Sequence, residues 1–396
     1  MFEAIKPAPP DAILGITEAF RRDPNPQKIN LSVGVYKDET GATPILPSVQ
    51  EAKRRLLETE RDAGYLPIDG DPRFNRLASE LVLTDRSSIL AEQRAATMQT
   101  PGGTGALRVA ADLLHRVLPD ATVWVTTPTW PNHPKVFQAA GLRVEQLRYF
   151  DAAQNRLDFA GLLEDLESVP AGDVVCLHGC CHNPTGADPS PEQWERIARV
   201  LQDRAVFPLL DFAYQGFGRG LDEDAQGVRT VLEHVPEAFL AVSFSKNFGL
   251  YRERTGALIA VAEQPEHAAN VLSQLKACAR ANYSNPPYHG AAVVKTILDD
   301  ERLREQWLAD LTQMRERIRS MRTLFVKTMS ALRPDRDFSF IEQQNGMFSF
   351  SGLTPEQVDR LRDEFSVYVV RNGRINVGGM TPQNMQRLCE AIAAVL

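Results

Sequence analysis

The sequence has few cysteines, no long apolar run and no block of basic residues. Its five cysteines are an odd number in 396 residues and two are adjacent, which argues against a disulfide framework and favours a reducing cytoplasm. No apolar stretch is long enough to span a bilayer, and the N-terminus lacks the basic segment and apolar core of a signal peptide. The formal charge is -7 without a basic tail or stripe, so we expect neither a membrane nor a nucleic acid as a partner.

Short apolar runs alternate with helical periodicity between about Pro47 and Leu311. The runs, rich in Val, Leu, Ile or Phe, are TVWVTTP (122–128), GDVVCLHGCC (172–181), VFPLLDFAY (206–214), FLAVSFS (239–245) and GALIAVA (256–262). This pattern is typical of strands buried on both faces. TGALRVAADLLHRVL and SPEQWERIARVLQ are predicted helices, and the second has Ser190 and Gln193 in a capping-box pattern. The alternation predicts an α/β fold with a mostly parallel sheet flanked by helices.

The length of the chain favours two domains. We expect an N-terminal arm over residues 1–14, whose prolines favour an extended chain that lies on a partner subunit. A large domain is predicted over residues 48–311. A smaller α+β domain is predicted to be discontinuous, made of residues 15–47 and 312–396.

Two segments support the discontinuous small domain. INLSVGVYKDETG is predicted to be a strand followed by a turn, and the strand near Val33 is expected to join the C-terminal part. The stretch from about Asp310 to Met321 is predicted to be one long helix.

Two polar residues stand where predicted strands end. Lys246 follows FLAVSFS directly, a setting that desolvates the amine and favours the neutral form that attacks an aldehyde. Asp211 ends an apolar run, where a carboxylate is costly unless a cation such as a pyridinium N–H pairs with it. Tyr214 follows three residues later, and its hydroxyl can reach an oxygen on the pyridinium ring that Asp211 would bind. Taken alone, the lysine is also compatible with the protein surface, and the aspartate with a helix N-cap or a structural ion pair.

A glycine-rich turn, TPGGTGALR, predicts a phosphate site. Gly103 and Thr104 lie where a helix begins, and the free amides of a helix N-terminus bind anions. We expect Ser243, Ser245 and Arg254 to complete an anion-binding site there. The rival interpretation, a dinucleotide fingerprint, lacks its third glycine, because Arg108 stands at that position.

The segment HGCCHNPTG combines a turn with potential metal ligands. Asn183 precedes a proline and is therefore pushed out of helical geometry, and Gly186 allows a tight turn. Four residues of types that bind metal ions lie nearby, namely His178, Cys180, Cys181 and His182. Their spacing is poor for tetrahedral zinc and no second ligand pair follows downstream, so we expect no metal.

Together these residues fit one cofactor. A lysine, an aspartate with a tyrosine behind it, an asparagine and a phosphate-binding turn are the parts that hold a phosphorylated pyridine aldehyde, so we predict pyridoxal 5'-phosphate (PLP). The motifs around them resemble those of class I aminotransferases, and most closely the bacterial aspartate and aromatic aminotransferase group. They are TPGGTGALR, PTWPNH, HGCCHNPTG, DFAYQGF, SFSKNFGLYRERTG, RANYSNPP and NGMFSFSGL. The resemblance covers essentially the whole chain and implies the type I PLP fold, in a homodimer with active sites at the subunit interface.

The resemblance also assigns roles around the cofactor. Lys246 is implied to hold PLP as a Schiff base and to act as the base and acid that moves a proton. Asp211 is implied to pair with the pyridine nitrogen, and Tyr214 and Asn183 to bond the ring's phenolic oxygen. The other implied contacts are Trp130 stacking on the ring, His133 behind Trp130 and Asp211, Tyr65 from the partner subunit, and Gly103, Thr104, Ser243, Ser245 and Arg254 on the phosphate.

Substrate recognition is implied to depend on two arginines. Arg374, in NGRINVGGM, is expected to hold the α-carboxylate in a bidentate pair. Arg280, in RANYSNPP, is expected to come from the other subunit and bind a side-chain carboxylate. Gly34 is expected to approach the substrate through its backbone, where a side chain would obstruct. Trp130 and Asn183 complete the implied substrate-binding set.

The resemblance implies reversible amino-group transfer with ping-pong kinetics. The expected substrates are L-aspartate and 2-oxoglutarate, giving oxaloacetate and L-glutamate. Aminotransferases that accept tyrosine or phenylalanine share both arginines, so aromatic or dual specificity is an alternative. A PLP decarboxylase or lyase would share Lys246 and Asp211 but need not keep both arginines. A non-catalytic binding or regulatory protein on the same scaffold is a further alternative, which the complete set of catalytic groups disfavours.

Overall fold

A computed structural model of the chain describes residues 2–7 and 14–396. The predicted N-terminal arm, residues 1–14, is described only in part, because residues 1 and 8–13 lie outside the described residues. In the described part of the arm, Phe2–Ala4 forms one turn of 3-10 helix, and Phe2 and Ile5 are exposed. No helix among the described residues is long and apolar enough to cross a membrane.

Helices account for much of the described chain. They are α1 Leu14–Arg22, α2 Pro47–Thr59, α3 Pro72–Leu83, α4 Ser88–Ala91, α5 Gly102–Val117, α6 His133–Ala139, α7 Phe159–Ser168, α8 Pro191–Asp203, α9 Leu221–His234, α10 Pro265–Asn282, α11 Tyr288–Asp299, α12 Glu301–Leu332, α13 Phe340–Gln343, α14 Pro355–Phe365 and α15 Pro382–Val395.

The strands among residues 2–7 and 14–396 form one large sheet and three small ones. They are β1 Ile29–Asn30, β2 Ala95–Pro101, β3 Thr122–Thr127, β4 Arg143–Arg148, β5 Phe150–Asp151, β6 Arg156–Leu157, β7 Val174–His178, β8 Phe207–Phe212, β9 Ala238–Ser243, β10 Thr255–Val261, β11 Phe348–Phe350, β12 Val367–Tyr368 and β13 Arg374–Asn376. The large sheet has seven strands in the order β2-β10-β9-β8-β7-β3-β4. Only β10 runs antiparallel to its neighbours in this sheet. The α/β prediction with a mostly parallel sheet is therefore confirmed.

The five predicted apolar runs form the centre of this sheet as β3, β7, β8, β9 and β10. Every residue of β7, β9 and β10 is buried, as expected of strands covered by helices on both faces. The outer strands β2 and β4 were not predicted. Strand β4, RVEQLR, lies at the sheet edge with most of its polar side chains exposed, so its sequence lacks the apolar run that marks a central strand.

The predicted helices are present as α5 and α8. Helix α8 begins at a complete capping box, in which Ser190 and Gln193 exchange side-chain and backbone hydrogen bonds. The long helix α12 extends beyond both predicted ends and runs through residue 312 without a break. No break in helix α12 therefore coincides with the predicted boundary between residues 311 and 312.

The early segment pairs with the C-terminal part of the chain. Strand β1 lies parallel to β12, and β11 lies antiparallel to β13. The strand predicted in INLSVGVYKDETG covers only its first two residues, and Val33 lies beyond it. The expected pairing between distant segments is present, on a shorter strand than the sequence indicated.

Candidate active site

A cavity of about 260 Å³ opens beside the carboxyl ends of β7, β8 and β9. Parallel strands place their following residues at one edge of a sheet, which is where ligands bind in open α/β sheets. All the predicted site residues except Tyr65, His133 and Arg280 line it, namely Gly34, Gly103, Thr104, Trp130, Asn183, Asp211, Tyr214, Ser243, Ser245, Lys246, Arg254 and Arg374. The folded chain thus brings together residues that are more than 300 positions apart in the sequence.

Lys246 lies three residues beyond β9, against the side chain of Tyr214. Its Nζ atom is 4.6 Å from the centroid of the Tyr214 ring. Burial lowers the pKa of Lys246 to about 8, although the nearby Asp211 carboxylate opposes that change. A substantial fraction of this amine is therefore neutral near physiological pH, as a nucleophile or base requires.

The buried carboxylate of Asp211 is supported by His133. The His133 Nε2 and Asp211 Oδ2 atoms are 3.0 Å apart, and Nδ1 of the same ring is 2.8 Å from Thr129 Oγ1. Burial raises the pKa of Asp211, but the hydrogen bond with His133 and the nearby Lys246 outweigh it, so the pKa lies below its ordinary value. Asp211 is thus ionised and able to accept a hydrogen bond inside the cavity. His133 stands behind Trp130, with ring centroids 5.3 Å apart.

The opposite end of the cavity is built to bind an anion. Helix α5 begins there without any side chain capping its first turn. Arg254 donates to Ser245 Oγ at 3.4 Å and to the Tyr251 carbonyl at 3.0 Å. Gly102 has a φ of +70°, and a Cβ atom there would lie 2.5 Å from Arg254 Nη2. The glycine therefore lets a guanidinium approach the helix N-terminus, where free amides already favour negative charge.

Asn183, Tyr214 and Arg374 form a hydrogen-bonded group in the wall of the same cavity. Asn183 Nδ2 donates to the Tyr214 hydroxyl at 3.4 Å, and Arg374 Nη1 donates to Asn183 Oδ1 at 3.3 Å. Burial raises the pKa of the Tyr214 hydroxyl, which keeps it protonated. The three side chains can donate hydrogen bonds to an oxygen-rich ligand in the cavity.

Arg374 is a buried cation without a carboxylate partner among the described residues. Its guanidinium lies 4.4 Å from the centroid of the Phe348 ring and donates to the Ser32 carbonyl, while Nε has no partner. Burial lowers the pKa of Arg374 to about 10, so the group remains charged at neutral pH. An unpaired buried cation is costly, and binding of an anionic ligand would offset that cost.

Gly34 faces the same aromatic ring. A Cβ atom at this position would lie 2.7 Å from Phe348 Cζ. The absence of a side chain at Gly34 therefore leaves room for the Phe348 ring, and the expected close approach of a substrate to the Gly34 backbone stays a prediction.

Tyr65 and Arg280 lie outside the cavity. The Tyr65 side chain is 96% exposed, and Arg280 is an exposed residue in the last turn of α10 that donates to Ser284 Oγ. These two are the residues that the resemblance assigned to the partner subunit. A single chain therefore does not test their roles.

Phe348 and Tyr251 line the cavity but were not predicted. The Tyr251 hydroxyl accepts a hydrogen bond from the Tyr36 amide at 2.9 Å, which ties the cavity to the segment that carries Gly34. Both aromatic residues lie inside motifs quoted above, NGMFSFSGL and SFSKNFGLYRERTG. Their presence as aromatic residues inside these two motifs was the available signal.

Histidines and cysteines near the cavity form two clusters. The ligand atoms of His133, His178 and Asp211 lie within 4.8 Å of one another, and so do those of Cys180, Cys181 and Asp224. Within the described residues, His178 has no hydrogen-bond partner at either ring nitrogen. Burial holds the pKa of His178 well below its usual value, so this ring is neutral behind Asp211.

The residues present fit PLP. The uncapped α5 terminus with Ser243, Ser245 and Arg254 matches a phosphate, and the ionised Asp211 matches a protonated ring nitrogen. Lys246 lines the same cavity with a lowered pKa, as suits an amine that reacts with an aldehyde. Arg374 is left with an unpaired Nε for a second ligand.

Comparison with known proteins agrees with this geometry. The family model described as "Aminotransferase class I and II" matches residues 26–392. The aspartate aminotransferase of Escherichia coli is 56% identical over 396 residues, covering both chains completely. An aromatic-amino-acid aminotransferase of Pseudomonas aeruginosa is 48% identical over 394 residues, covering 100% of this chain and 98% of its own. A crystal structure of an aromatic-amino-acid aminotransferase from Burkholderia pseudomallei, covalently bound to pyridoxal phosphate, superposes with a TM-score of 0.98 at 46% identity, covering 100% of this chain and 99% of that one. The chain therefore belongs to the class I and II aminotransferase family.

Proposed function

We propose that the chain is a PLP-dependent aspartate aminotransferase. It transfers the amino group reversibly from L-aspartate to 2-oxoglutarate, giving oxaloacetate and L-glutamate in a ping-pong reaction. The observation that carries this proposal is the pairing of two groups in one cavity: the amine of Lys246, with its pKa lowered to about 8, and the buried, unpaired guanidinium of Arg374. An amino acid held by its α-carboxylate at Arg374 presents its Cα toward the lysine.

The chain's own residues then have distinct tasks. When bound, PLP supplies an aldehyde that takes the amino group and a ring that accepts electrons from the substrate Cα. Lys246 Nζ would accept the proton from the substrate Cα and donate it to the cofactor carbon that bears the amino group, and its lowered pKa permits transfer in both directions. Asp211 would accept a hydrogen bond from the ring nitrogen, and its ionised state would keep that nitrogen protonated. Trp130 and Phe348 flank the reacting atoms with apolar surface that excludes water.

Aspartate is the preferred substrate in this proposal because of the relatives. The E. coli aspartate aminotransferase shares 56% identity with the chain, against 48% for the aromatic enzyme of P. aeruginosa. The second candidate is an aromatic-amino-acid aminotransferase. It is favoured by the TM-score of 0.98 to the B. pseudomallei enzyme.

We further propose a homodimer with shared active sites. Tyr65 and Arg280 do not line the cavity of their own chain, and both are exposed. In the proposed dimer, Tyr65 reaches the partner's phosphate site and Arg280 binds the side-chain carboxylate of the partner's substrate.

The domain division and the compartment are also proposals. The large domain is residues 48–311, and the small domain is residues 15–47 with 312–396, supported by the pairing of β1 with β12. Residues 1–14 form the N-terminal arm. A reducing cytoplasm is supported by the five cysteines, which are all buried and unpaired.

Steady-state kinetics with 2-oxoglutarate test the function directly. We expect kcat/KM to be larger for L-aspartate than for tyrosine or phenylalanine. A larger value for an aromatic amino acid would replace the first candidate by the second. No transfer from any of the three would refute both.

A further inference from the structure

Asp188 closes the loop that presents Asn183 to the cavity. Its Oδ1 atom accepts the amide of His182 at 2.8 Å, and its Oδ2 atom accepts the amide of Cys181 at 2.9 Å. These two amides belong to the residues directly before Asn183. Because both ends of the loop are joined through one carboxylate, the position of Asn183 depends on that carboxylate.

The same carboxylate contacts a segment from the C-terminal part of the chain. Asn345 Nδ2 donates to Asp188 Oδ2 at 3.2 Å, and the Asn345 amide donates to the Gly186 carbonyl at 2.7 Å. The two segments fit closely, since a Cβ atom on Gly186 would lie 2.5 Å from the Phe348 carbonyl oxygen. Asp188 therefore bridges two parts of the chain that are 157 residues apart.

The bridged segment carries the ring that packs against Arg374. Phe348 lies three residues beyond Asn345, and its ring centroid is 4.4 Å from the Arg374 guanidinium. From the other side, the buried Arg322 of α12 donates to the carbonyls of Gly346 at 2.7 Å and Phe348 at 2.9 Å. A shift of Asn345 would therefore displace Phe348 and, through that ring, Arg374, which is proposed to bind the substrate carboxylate.

We propose that Asp188 is a positioning residue that sets Asn183 against the cofactor's phenolic oxygen and, through Asn345, sets Phe348 and Arg374 against the substrate carboxylate. Asp188 does not line the cavity, so it acts only through these neighbours. The inference rests on the proposed function for the identity of the two ligands. In Asp188→Asn one carboxylate oxygen becomes an NH₂ donor, which cannot accept from an amide and opposes the other donors.

Two dissociation constants measure the effect without turnover. The Kd of PLP is measured on the apo chain by fluorescence quenching, and the Kd of succinate, an unreactive dicarboxylate, on the PLP-loaded protein by calorimetry. We expect Asp188→Asn to raise both by about tenfold, as loss of one or two hydrogen bonds to a charged group would. The matched control is Asp173→Asn at the other end of β7, where the carboxylate accepts from the Thr122 amide and Trp124 Nε1. We expect the control to change neither constant by more than about twofold.

Two further variants separate positioning from general stability. Asn183→Ala should remove the dependence of PLP binding on Asp188, so that Asp188→Asn raises the PLP Kd no further in that background. Asn345→Ala should raise the Kd of succinate and leave that of PLP unchanged, which keeps the proposal testable if Asp188→Asn fails to fold.

Three results would overturn the proposal. The first is a lower Tm for Asp188→Asn with both Kd values unchanged. The second is an additive increase in the PLP Kd with Asn183→Ala, and the third is an Asn345→Ala variant with unchanged succinate binding. A wild-type protein that binds PLP but transfers no amino group would refute the proposed function and leave the PLP arm of this test intact.

Discussion

The two ends of the cavity differ in where their groups come from. At the cofactor end, Lys246 follows β9, Asp211 lies near the end of β8 and Arg254 directly precedes β10, and these three strands are neighbours in a single sheet of one chain. At the substrate end, Arg374 comes from the small antiparallel pair β11–β13, and Arg280 lies outside the cavity altogether. The lysine, the carboxylate and the arginine of the cofactor end thus come from one folded chain, and only Tyr65 is proposed to join them from the partner. Selectivity for a second carboxylate is proposed to depend on the partner's Arg280. Five predictions test this contrast and follow in order of decreasing expected effect.

The largest effect is expected at the reactive lysine. Lys246→Ala should lower kcat by more than about 10⁴-fold, because both the covalent attachment and the proton transfer depend on this amine. Steady-state and single-turnover assays measure the loss, and circular dichroism checks the fold. Lys327→Ala, an exposed lysine of α12, serves as the control with unchanged activity. Retained turnover in Lys246→Ala would disprove the mechanism.

The second effect is at the carboxylate for the ring nitrogen. Asp211→Asn should lower kcat by about 10³-fold, because a neutral amide does not keep that nitrogen protonated. PLP content, measured after dialysis, should fall less than activity. If kcat stayed within tenfold of the wild type, Asp211 would not have this role.

The third effect tests the substrate end within the chain. Arg374→Lys keeps the charge but loses the bidentate geometry, and should lower kcat/KM by about 100-fold. Because the α-carboxylate is common to all amino acids, the loss should be similar for aspartate and phenylalanine. A loss confined to aspartate would move the role of Arg374 to the side-chain carboxylate.

The fourth effect concerns the proposed partner contribution. Arg280→Leu should lower kcat/KM for aspartate by about tenfold or more relative to phenylalanine, since only aspartate has a second carboxylate. The measurement is the ratio of the two kcat/KM values in wild type and variant. Equal losses for both substrates would remove the role of Arg280 in selectivity.

The smallest effect is a pH dependence at the cofactor end. The lowered pKa of Lys246, about 8, means that its neutral form grows as pH rises and is nearly complete above pH 9. The rate constant for loading the apo chain with PLP should therefore rise about fivefold from pH 7 to 8, rise about twofold more and level off above pH 9. A rate that kept rising tenfold per pH unit to pH 10 would indicate an ordinary exposed lysine.

Much of the cofactor end was predictable because its residues directly follow apolar runs. Lys246 after FLAVSFS and Asp211 at the end of PLLD are local signals, and parallel strands necessarily bring them to one edge. The edge strand β4 was not predicted because its exposed polar side chains leave no apolar run in its sequence. The short strand β1 was overestimated in length, since two paired residues are enough to join β12.

The substrate end was less predictable because its contacts join distant segments. Nothing in the local sequence shows that Phe348 packs against Gly34 and Arg374, or that Asp188 bonds Asn345. These contacts depend on how the C-terminal segment docks onto the sheet. Tyr65 and Arg280 were the least predictable from their local sequence. Only the resemblance indicates them, and their proposed roles depend on a second subunit.

Subunit complementation tests the contrast most directly. A hybrid dimer is prepared from one Lys246→Ala subunit and one Arg280→Leu subunit, carrying different affinity tags. If Arg280 serves the partner's cavity, one site has the native lysine with the native arginine from across the interface, and kcat/KM for aspartate per dimer should recover to about half the wild-type value. If instead the hybrid has no more than half the activity of the Arg280→Leu homodimer, Arg280 acts within its own subunit and the account of the substrate end is wrong.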